Sequence, residues 1–237
     1  VENVDNWQEI LALMMLQNGA DLTNPTGKLA EDALTFFTLF ATSDGVWDAS
    51  LPASTAMFAG GKLAMYLAPS WRVFEISRLN PTLNFRTVPV PQLAKGSPNQ
   101  KDVAYATYWV QGVSNKGKNK TVAWEFLKFI SSRDSLSKLY ANASRQRKFG
   151  EAYPRVDMAS LLTDHPILGS IISQAPSARS WYLQSRTFDG PTGINSLINK
   201  YFEDAVNAVN ARNAAAKVLP TVAQGVSQVL KQYGIIR

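Results

Sequence analysis

Aromatic and polar side chains at three places in the sequence have the chemistry to bind a small polar molecule. The first is Trp71, which follows a tight turn at Pro69 and Ser70 after a predicted strand. Ligands of α/β sheets bind at the carboxyl ends of strands, and an indole packs against a ring that has an apolar face. We therefore predict that Trp71, with Ser70 beside it, contacts a ligand. The alternative is that Trp71 only anchors the turn to the core.

The second place is a predicted strand at residues 104–113, which carries Tyr105, Thr107, Tyr108 and Trp109. Side chains alternate across a strand, so Tyr105, Thr107 and Trp109 share one face and Tyr108 lies on the other. One face is expected to line a ligand cleft and the other to pack into the core. The sequence leaves open which face is which.

The third place is an irregular segment that contains Trp181 and Tyr182, followed by Arg186, Thr187 and Asp189. Arg and Asp side chains can each make paired hydrogen bonds, which suits the recognition of hydroxyl groups. We predict that Trp181, Arg186 and Asp189 contact the ligand. The alternatives are a packed loop for Trp181 and, for Arg186, Thr187 and Asp189 together, an ordinary capping turn ahead of a helix that begins near residue 194.

Catalysis and metal binding are poorly supported by the residue types. The chain has no Cys and one His, so disulfides, thiolate metal sites and zinc sites built from several His are excluded. His165 is predicted to have a structural or surface role, and no cofactor or metal is expected. A glycoside hydrolase, the alternative function, needs two carboxyl groups that face each other, whereas Asp157, Asp164 and Asp189 are scattered.

Composition indicates a folded chain with a basic surface. Of the 237 residues 46% are hydrophobic and 18% charged, and the net charge is +6. The densest basic runs, residues 116–120 and 145–148, are short and accompany no nucleic-acid-binding motif. We interpret them as solvated surface and expect no nucleic-acid partner. No stretch approaches the roughly 18 apolar residues of a membrane span.

Periodicity and turn residues predict helices that alternate with short strands, which indicates an α/β layered fold. Ser70 is the predicted cap of the helix at 72–78, Ser132 of the helix at 133–142, and Thr163 or Asp164 of the helix at 166–174. The other helices are predicted at 5–17, 29–40, 52–59, 120–130, 157–162, 194–210 and 214–233, the strands at 63–67, 84–89 and 104–113, and a loop at 89–99.

Four short motifs occur in a fixed order along the chain. They are FAGGKLAM at 58–65 with PSW at 69–71, VPVP at 88–91, YWVQGVS at 108–114 with AWEFLKFI at 123–130, and DAVNAVN at 204–210 before an Ala-rich helix. Together and in this order they resemble the family 1 extracellular solute-binding proteins of ABC importers, which include maltose- and maltodextrin-binding proteins. In these relatives the Trp that corresponds to Trp71 lies in the ligand cleft.

The resemblance implies an α/β fold of the periplasmic-binding-protein-like type II class, in which two lobes close on a ligand about a hinge. It assigns residues 1–102 and 150–237 to the C-terminal lobe, and residues 103–149 to a hinge-crossing segment of the N-terminal lobe. The N-terminal βαβ part of the family has no counterpart here. We therefore expect a C-terminal fragment that exposes apolar surface at 103–149.

The resemblance also implies a function without catalysis. The expected function is the substrate-binding component of an ABC importer, which captures a small solute and delivers it to a membrane permease. A sugar is the expected solute, with glycerol phosphate and polyamines left open as alternatives. The permease subunits are the expected protein partners. We expect a monomer that is extracellular or periplasmic, and a lipid anchor in the full-length protein is left open.

Overall fold

The computed structural model describes residues 2–94 and 101–237, so part of the predicted loop at 89–99 lies outside the described residues. Within them, the secondary structure is largely helical. The α-helices are α1 (Trp7–Gln17), α2 (Lys28–Thr42), α3 (Ser54–Ala59), α4 (Arg72–Leu79), α5 (Lys120–Ile130), α6 (Arg133–Gln146), α7 (Leu168–Gln174), α8 (Ile194–Asn210) and α9 (Ala215–Gln232). The strands are β1 (Ala104–Tyr105) and β2 (Ala178–Arg179), and 3₁₀ helices cover Val156–Leu161 and Ala175–Ser177.

The chain divides into two compact units. The larger unit comprises Val1–Leu83, Val90–Ala106 and Ser177–Arg237, and the smaller unit comprises Asn84–Pro89 and Thr107–Pro176. The core of the larger unit is formed by α1, α2, α8 and α9, whose apolar residues recur at helical spacing and pack together. Leu11, Leu34, Phe202 and Val226 are all fully buried there.

The last two helices pack closely because a glycine stands where they meet. A Cβ added at Gly225 of α9 would lie 2.3 Å from the Tyr201 ring of α8, which no side chain could tolerate without movement. Pro220 lies inside α9 and removes one backbone hydrogen bond from that helix. The Gly therefore allows the contact between the helices, and the apolar stripe holds α9 against its neighbours despite the Pro.

The predicted strands are largely absent from the described residues. The two-stranded sheet pairs β1 with β2 in parallel, Ala104 opposite Ala178 and Tyr105 opposite Arg179. The predictions of strands at 63–67 and 84–89 are wrong, and the one at 104–113 is right for two residues only. Strand-like composition suits a pleated surface, but a strand exists only where a neighbouring strand supplies the hydrogen bonds.

The buried apolar side chains of the smaller unit include Phe149, which follows α6, Met158 of the first 3₁₀ helix and Leu168 of α7. Ser132 caps α6, as predicted, because its Oγ accepts a hydrogen bond from Ser135 N–H. The predicted cap of α7, Thr163 or Asp164, is wrong. His165 takes that place, since its Nδ1 accepts from the N–H groups of Ile167 and Leu168 at 3.1 Å.

The helix predictions agree with the structure throughout, and those for α5 and α8 agree to the residue. The predicted Ser70 cap of α4 is wrong, since the helix starts after Trp71 without a side-chain cap. Among the residues described, no helix is both long enough and apolar enough to span a bilayer.

Candidate functional site

The starts of three helices of the larger unit meet at a network of polar side chains. We call this network the polar cluster. It joins the segment that leads into α1 to the first residues of α3 and α4 and to one loop ahead of α8. Its members are Asp5, Asn6, Glu9, Ser54, Thr55, Tyr66, Arg72, Glu75 and Ser185. Several backbone N–H groups at helix starts have no partner within their helix, which makes such a place suited to carboxylates and hydroxyls.

Arg72 lies at the centre of the cluster and uses each of its guanidinium nitrogens. Its Nε donates to Asn6 Oδ1 at 3.0 Å, and its Nη2 donates to Asp5 Oδ1 at 3.1 Å. The third nitrogen, Nη1, donates to Glu75 Oε2 at 2.6 Å. The side chain is only 13% exposed, so these bonds compensate for most of its lost hydration. Arg72 thereby ties the start of α4 to the start of α1.

Asp5 serves as the acceptor at the start of α3. Its Oδ2 accepts from Thr55 N–H at 2.9 Å and from Thr55 Oγ1 at 2.7 Å. Because the Thr55 hydroxyl proton is used in this way, the Tyr66 hydroxyl, 2.6 Å away, donates to Thr55 Oγ1. Burial alone would raise the pKa of Asp5, but the hydrogen bonds from Thr55 and Ser54 and the charge of Arg72 lower it below its ordinary value.

Replacing Asp5 by Asn is expected to reduce stability in a pH-dependent way. The lowered pKa means that the carboxylate stabilises the fold fully above its ordinary value of 3.8, and that this contribution is lost as the pH falls through the folded-state pKa. We expect Asp5→Asn to be less stable by about 1–3 kcal/mol at pH 7. Urea unfolding of both proteins between pH 7 and pH 3 should show the difference shrinking below pH 4. If the difference in unfolding free energy stays constant down to pH 3, the ionised Asp5 carboxylate is not what stabilises the fold.

The loop ahead of α8 is attached to the cluster through Ser185. The Ser185 N–H and Oγ both donate to Glu9 Oε1 at 2.8 Å, and Ser185 Oγ accepts from Asn6 Nδ2 at 2.8 Å. Asn6 has a φ of 61°, a left-handed conformation that Asn tolerates better than most residues. The second Glu9 oxygen, Oε2, is buried and has no hydrogen-bond partner in the described part of the chain.

Trp71 lies beside the cluster, at the residue that precedes Arg72 and α4. The Arg186 guanidinium carbon lies 5.5 Å from the centre of the indole ring, within the range of a cation–π contact. The indole Nε1 is buried and, within the described residues, donates no hydrogen bond. Two of the predicted ligand contacts, Trp71 and Arg186, are thus brought together, and Ser70 precedes Trp71 in the same turn.

Tyr105 and Trp181 meet in a different way from the one predicted. Tyr105 Oη lies 2.9 Å from Trp181 O and 3.0 Å from Leu183 O, and it accepts from Trp181 N–H. Burial raises the pKa of Tyr105. The Trp181 ring packs edge-on against Phe202 at 6.2 Å. The structure therefore gives both residues a role in fixing the loop to the core.

Asp189 lies at the start of α8. It accepts from the backbone N–H groups of Asn195 and Ser196 and from both of their side chains. Burial tends to raise its pKa, but these hydrogen bonds lower it below the ordinary value. Asp189 therefore has the capping geometry that the sequence offered as the alternative to ligand contact.

Tyr108 and Trp109 belong to the smaller unit and are among its most exposed side chains. Tyr108 is 72% exposed and Trp109 is 84% exposed. Neither side chain packs into the core of that unit.

Sequence reasoning did not find the polar cluster. Asp5, Asn6, Glu9 and Arg72 each resemble an ordinary polar residue near a helix start. Apart from Glu75, three positions from Arg72, their partners in the cluster are 49 to 179 positions away in the chain. One signal was available, because Arg72 directly follows Trp71 and an Arg within an apolar stretch needs partners. Two surface grooves, of about 410 and 540 Å³, lie elsewhere, one beside Tyr201 and the other beside Asn207, and no cluster residue lines them.

Comparison with known proteins gives one family and two similar structures. A sequence model described as bacterial extracellular solute-binding protein matches residues 3–145, more than half of the chain. Comparison with curated protein sequences gives no significant match.

The first similar structure is the maltose-maltodextrin binding protein of the thermoacidophilic bacterium Alicyclobacillus acidocaldarius. It has a TM-score of 0.60 and 16% identity, over 94% of this chain and 60% of that one. The second is the maltotriose binding protein of Thermus thermophilus bound with maltotriose. It has a TM-score of 0.61 and 16% identity, and the match covers 94% of this chain and 59% of that protein. The chain thus spans about 60% of the length of either protein.

Proposed function

Because the chain belongs to the family of bacterial extracellular solute-binding proteins, we propose that it is the solute-capturing component of an ABC importer. The TM-scores show that it has the fold of the type II periplasmic-binding-protein-like class, with about 60% of the length of those structures. In this proposal the protein closes on its solute and then delivers it to a membrane permease. It acts outside the cytoplasm as a monomer and catalyses no reaction.

The observation that carries the proposal is the position of Trp71 beside the polar cluster. An indole next to fixed hydrogen-bonding groups suits a ligand with an apolar ring face and hydroxyl edges, which describes a carbohydrate. The similar structures are named for maltose, maltodextrin and maltotriose, which supports the same class. Trp71 and Ser70 are the contacts we propose first. The exposed aromatic side chains of Tyr108 and Trp109 follow them as proposed contacts.

Charge supports an uncharged solute. The smaller unit has eleven Lys and Arg against five Asp and Glu, which accounts for the whole net charge of +6. The larger unit has thirteen of each and is balanced. Around Trp71, the carboxylates of Asp5, Glu9 and Glu75 outnumber the guanidinium groups of Arg72 and Arg186. The basic composition therefore does not argue for an anionic ligand.

We retain the predicted lobe assignment as part of the proposal. Residues 1–102 and 150–237 form the C-terminal lobe, and residues 103–149 complete an N-terminal lobe whose remaining part corresponds to the extra length of the relatives. The surface of α5 supports this, because none of its residues is buried and its large apolar side chains face solvent. They include Val122 (69% exposed), Trp124 (54%), Phe126 (59%) and Phe129 (65%).

A glycoside hydrolase is not favoured by the placement of the carboxylates. Asp157 is engaged by Arg155 and Arg133 at the surface, and Asp189 accepts four hydrogen bonds at the start of α8. Catalysis of this type needs one carboxyl group free to donate a proton beside a second one. The contacts of Asp157 and Asp189 therefore do not support a hydrolase pair at these two residues.

The proposal predicts that Trp71→Ala weakens carbohydrate binding. We expect a loss of more than about 1 kcal/mol, roughly fivefold or more in Kd, if the ring stacks on the indole. The measurement is a titration of the full-length gene product with maltotriose, after a thermal-shift screen of sugars and polyols. The matched control is Trp47→Ala, since Trp47 contacts Asn3 and lies outside the cluster.

Equal affinity in the Trp71→Ala variant and the parent would remove Trp71 from the site. A thermal shift with a phosphate ester or an amine, and with no sugar, would keep the fold and overturn the carbohydrate. Turnover of any glycoside would overturn the assignment as a binding protein.

A further inference from the structure

The Arg186 guanidinium lies over the indole face that a ligand ring would need. Its central carbon is 5.5 Å from the ring centre. Arg186 is itself an exposed residue, so the face that it covers is the one turned toward solvent. The indole Nε1, by contrast, is buried. A ring that approaches Trp71 from solvent therefore meets Arg186 first.

Arg186 is held in place weakly. In the part of the chain that is described, its guanidinium forms no ion pair with a carboxylate. Its one electrostatic contact there is the cation–π contact with the Trp71 ring. An exposed cation–π contact contributes little, about the same as one weak hydrogen bond. By comparison, Arg72 next to Trp71 has three charged or polar partners. The Arg186 side chain can therefore leave the ring without breaking the cluster.

The main chain next to Arg186 is fixed instead. Ser185 binds Glu9 through both its N–H and its Oγ, and it accepts from Asn6. The loop therefore keeps its position when the Arg186 side chain rotates away.

We propose that Arg186 is a displaceable cover of Trp71, and that a ligand ring exchanges with its guanidinium on the indole. This inference rests on the proposed function. The cover makes Arg186 a specificity-determining residue, because a ligand binds only if its contact with the indole outweighs the contact it replaces. Removing the cover therefore strengthens binding of a ring ligand, whereas removing a residue that binds the ligand directly would weaken it.

The test compares Arg186→Ala with Arg179→Ala, which removes the same charge from an exposed position on β2. Titration of the full-length gene product with maltotriose should give a Kd about two- to fivefold lower for Arg186→Ala, the range of an exposed cation–π contact. Arg179→Ala should leave the Kd unchanged. A Kd for Arg186→Ala that is equal to or higher than that of the parent overturns the cover, while Trp71→Ala still tests the proposed function separately.

A second measurement needs no ligand. Acrylamide quenching of Trp71 fluorescence, taken as the difference between each protein and its Trp71→Phe counterpart, reports how well the ring is covered. We expect stronger quenching of Trp71 in Arg186→Ala than in the parent and in Arg179→Ala. Equal quenching in all three overturns the cover, even if maltotriose is not the solute.

Discussion

Replacing Phe202 by Ala is expected to destabilise the larger unit by about 3–5 kcal/mol, the largest effect of any single substitution considered. Phe202 is fully buried in α8, within the core that α1, α2, α8 and α9 share. It also supports the Trp181 ring, which packs against it edge-on. Removal of the ring leaves a cavity between helices that are too tightly packed to collapse into it. Chemical unfolding followed by circular dichroism measures the loss.

Phe129→Ala is the matched control, because it removes the same side chain from α5. Phe129 is 65% exposed, so in this chain we expect a change of no more than about 0.5 kcal/mol. The same substitution in the full-length gene product tests the lobe assignment. If further chain covers α5, Phe129→Ala becomes destabilising there. If Phe129→Ala has an equally small effect in this chain and in the full-length gene product, the lobe assignment is contradicted. If Phe202→Ala destabilises this chain as little as Phe129→Ala does, Phe202 is not part of the core.

Arg72→Met is expected to destabilise the larger unit by about 2–4 kcal/mol, because it leaves carboxylates without their counter-charge in a partly buried place. Asp5 and Glu75 lose a charged partner, and Asn6 loses a donor. Met keeps most of the length of the side chain, so lost packing contributes little. The measurement is again the free energy of unfolding, with maltotriose affinity as a second readout for the position of Trp71.

Arg78→Met controls for the loss of a positive charge in the same helix. Arg78 is exposed in the last turn of α4, where cations interact favourably with the helix dipole. We expect a change of no more than about 0.5 kcal/mol from it. Equal losses for the two variants would mean that the ion pairs of Arg72 are not what stabilises this region.

Family and fold could be predicted from the sequence. The motifs around Trp71 and along α5 carried the resemblance to extracellular solute-binding proteins, and the family match over residues 3–145 confirms it. The helices could also be predicted, because an amphipathic helix is a local pattern. The apolar stripe of α8, for example, defines that helix from Ile194 to Asn210 without reference to any other segment.

The candidate site could be predicted only in part. Trp71 and Arg186 were identified by residue type, and the structure brings their side chains into contact. Tyr105 and Asp189 have the same residue types, yet the structure uses them to hold a loop and to cap α8. A hydroxyl or a carboxylate serves either purpose, so residue type does not separate the two roles.

The sequence alone determined the helices, the absence of thiol and multi-His sites, and the family, because each depends on residue identities that are close together or simply counted. The tertiary structure decided which extended segments became strands and where the polar cluster lies. Both depend on partners far apart in the chain: Tyr105 pairs with Arg179, and Asn6 binds Ser185. Such pairs form only when the packed helices bring distant segments together, and no local pattern in the sequence records that distance.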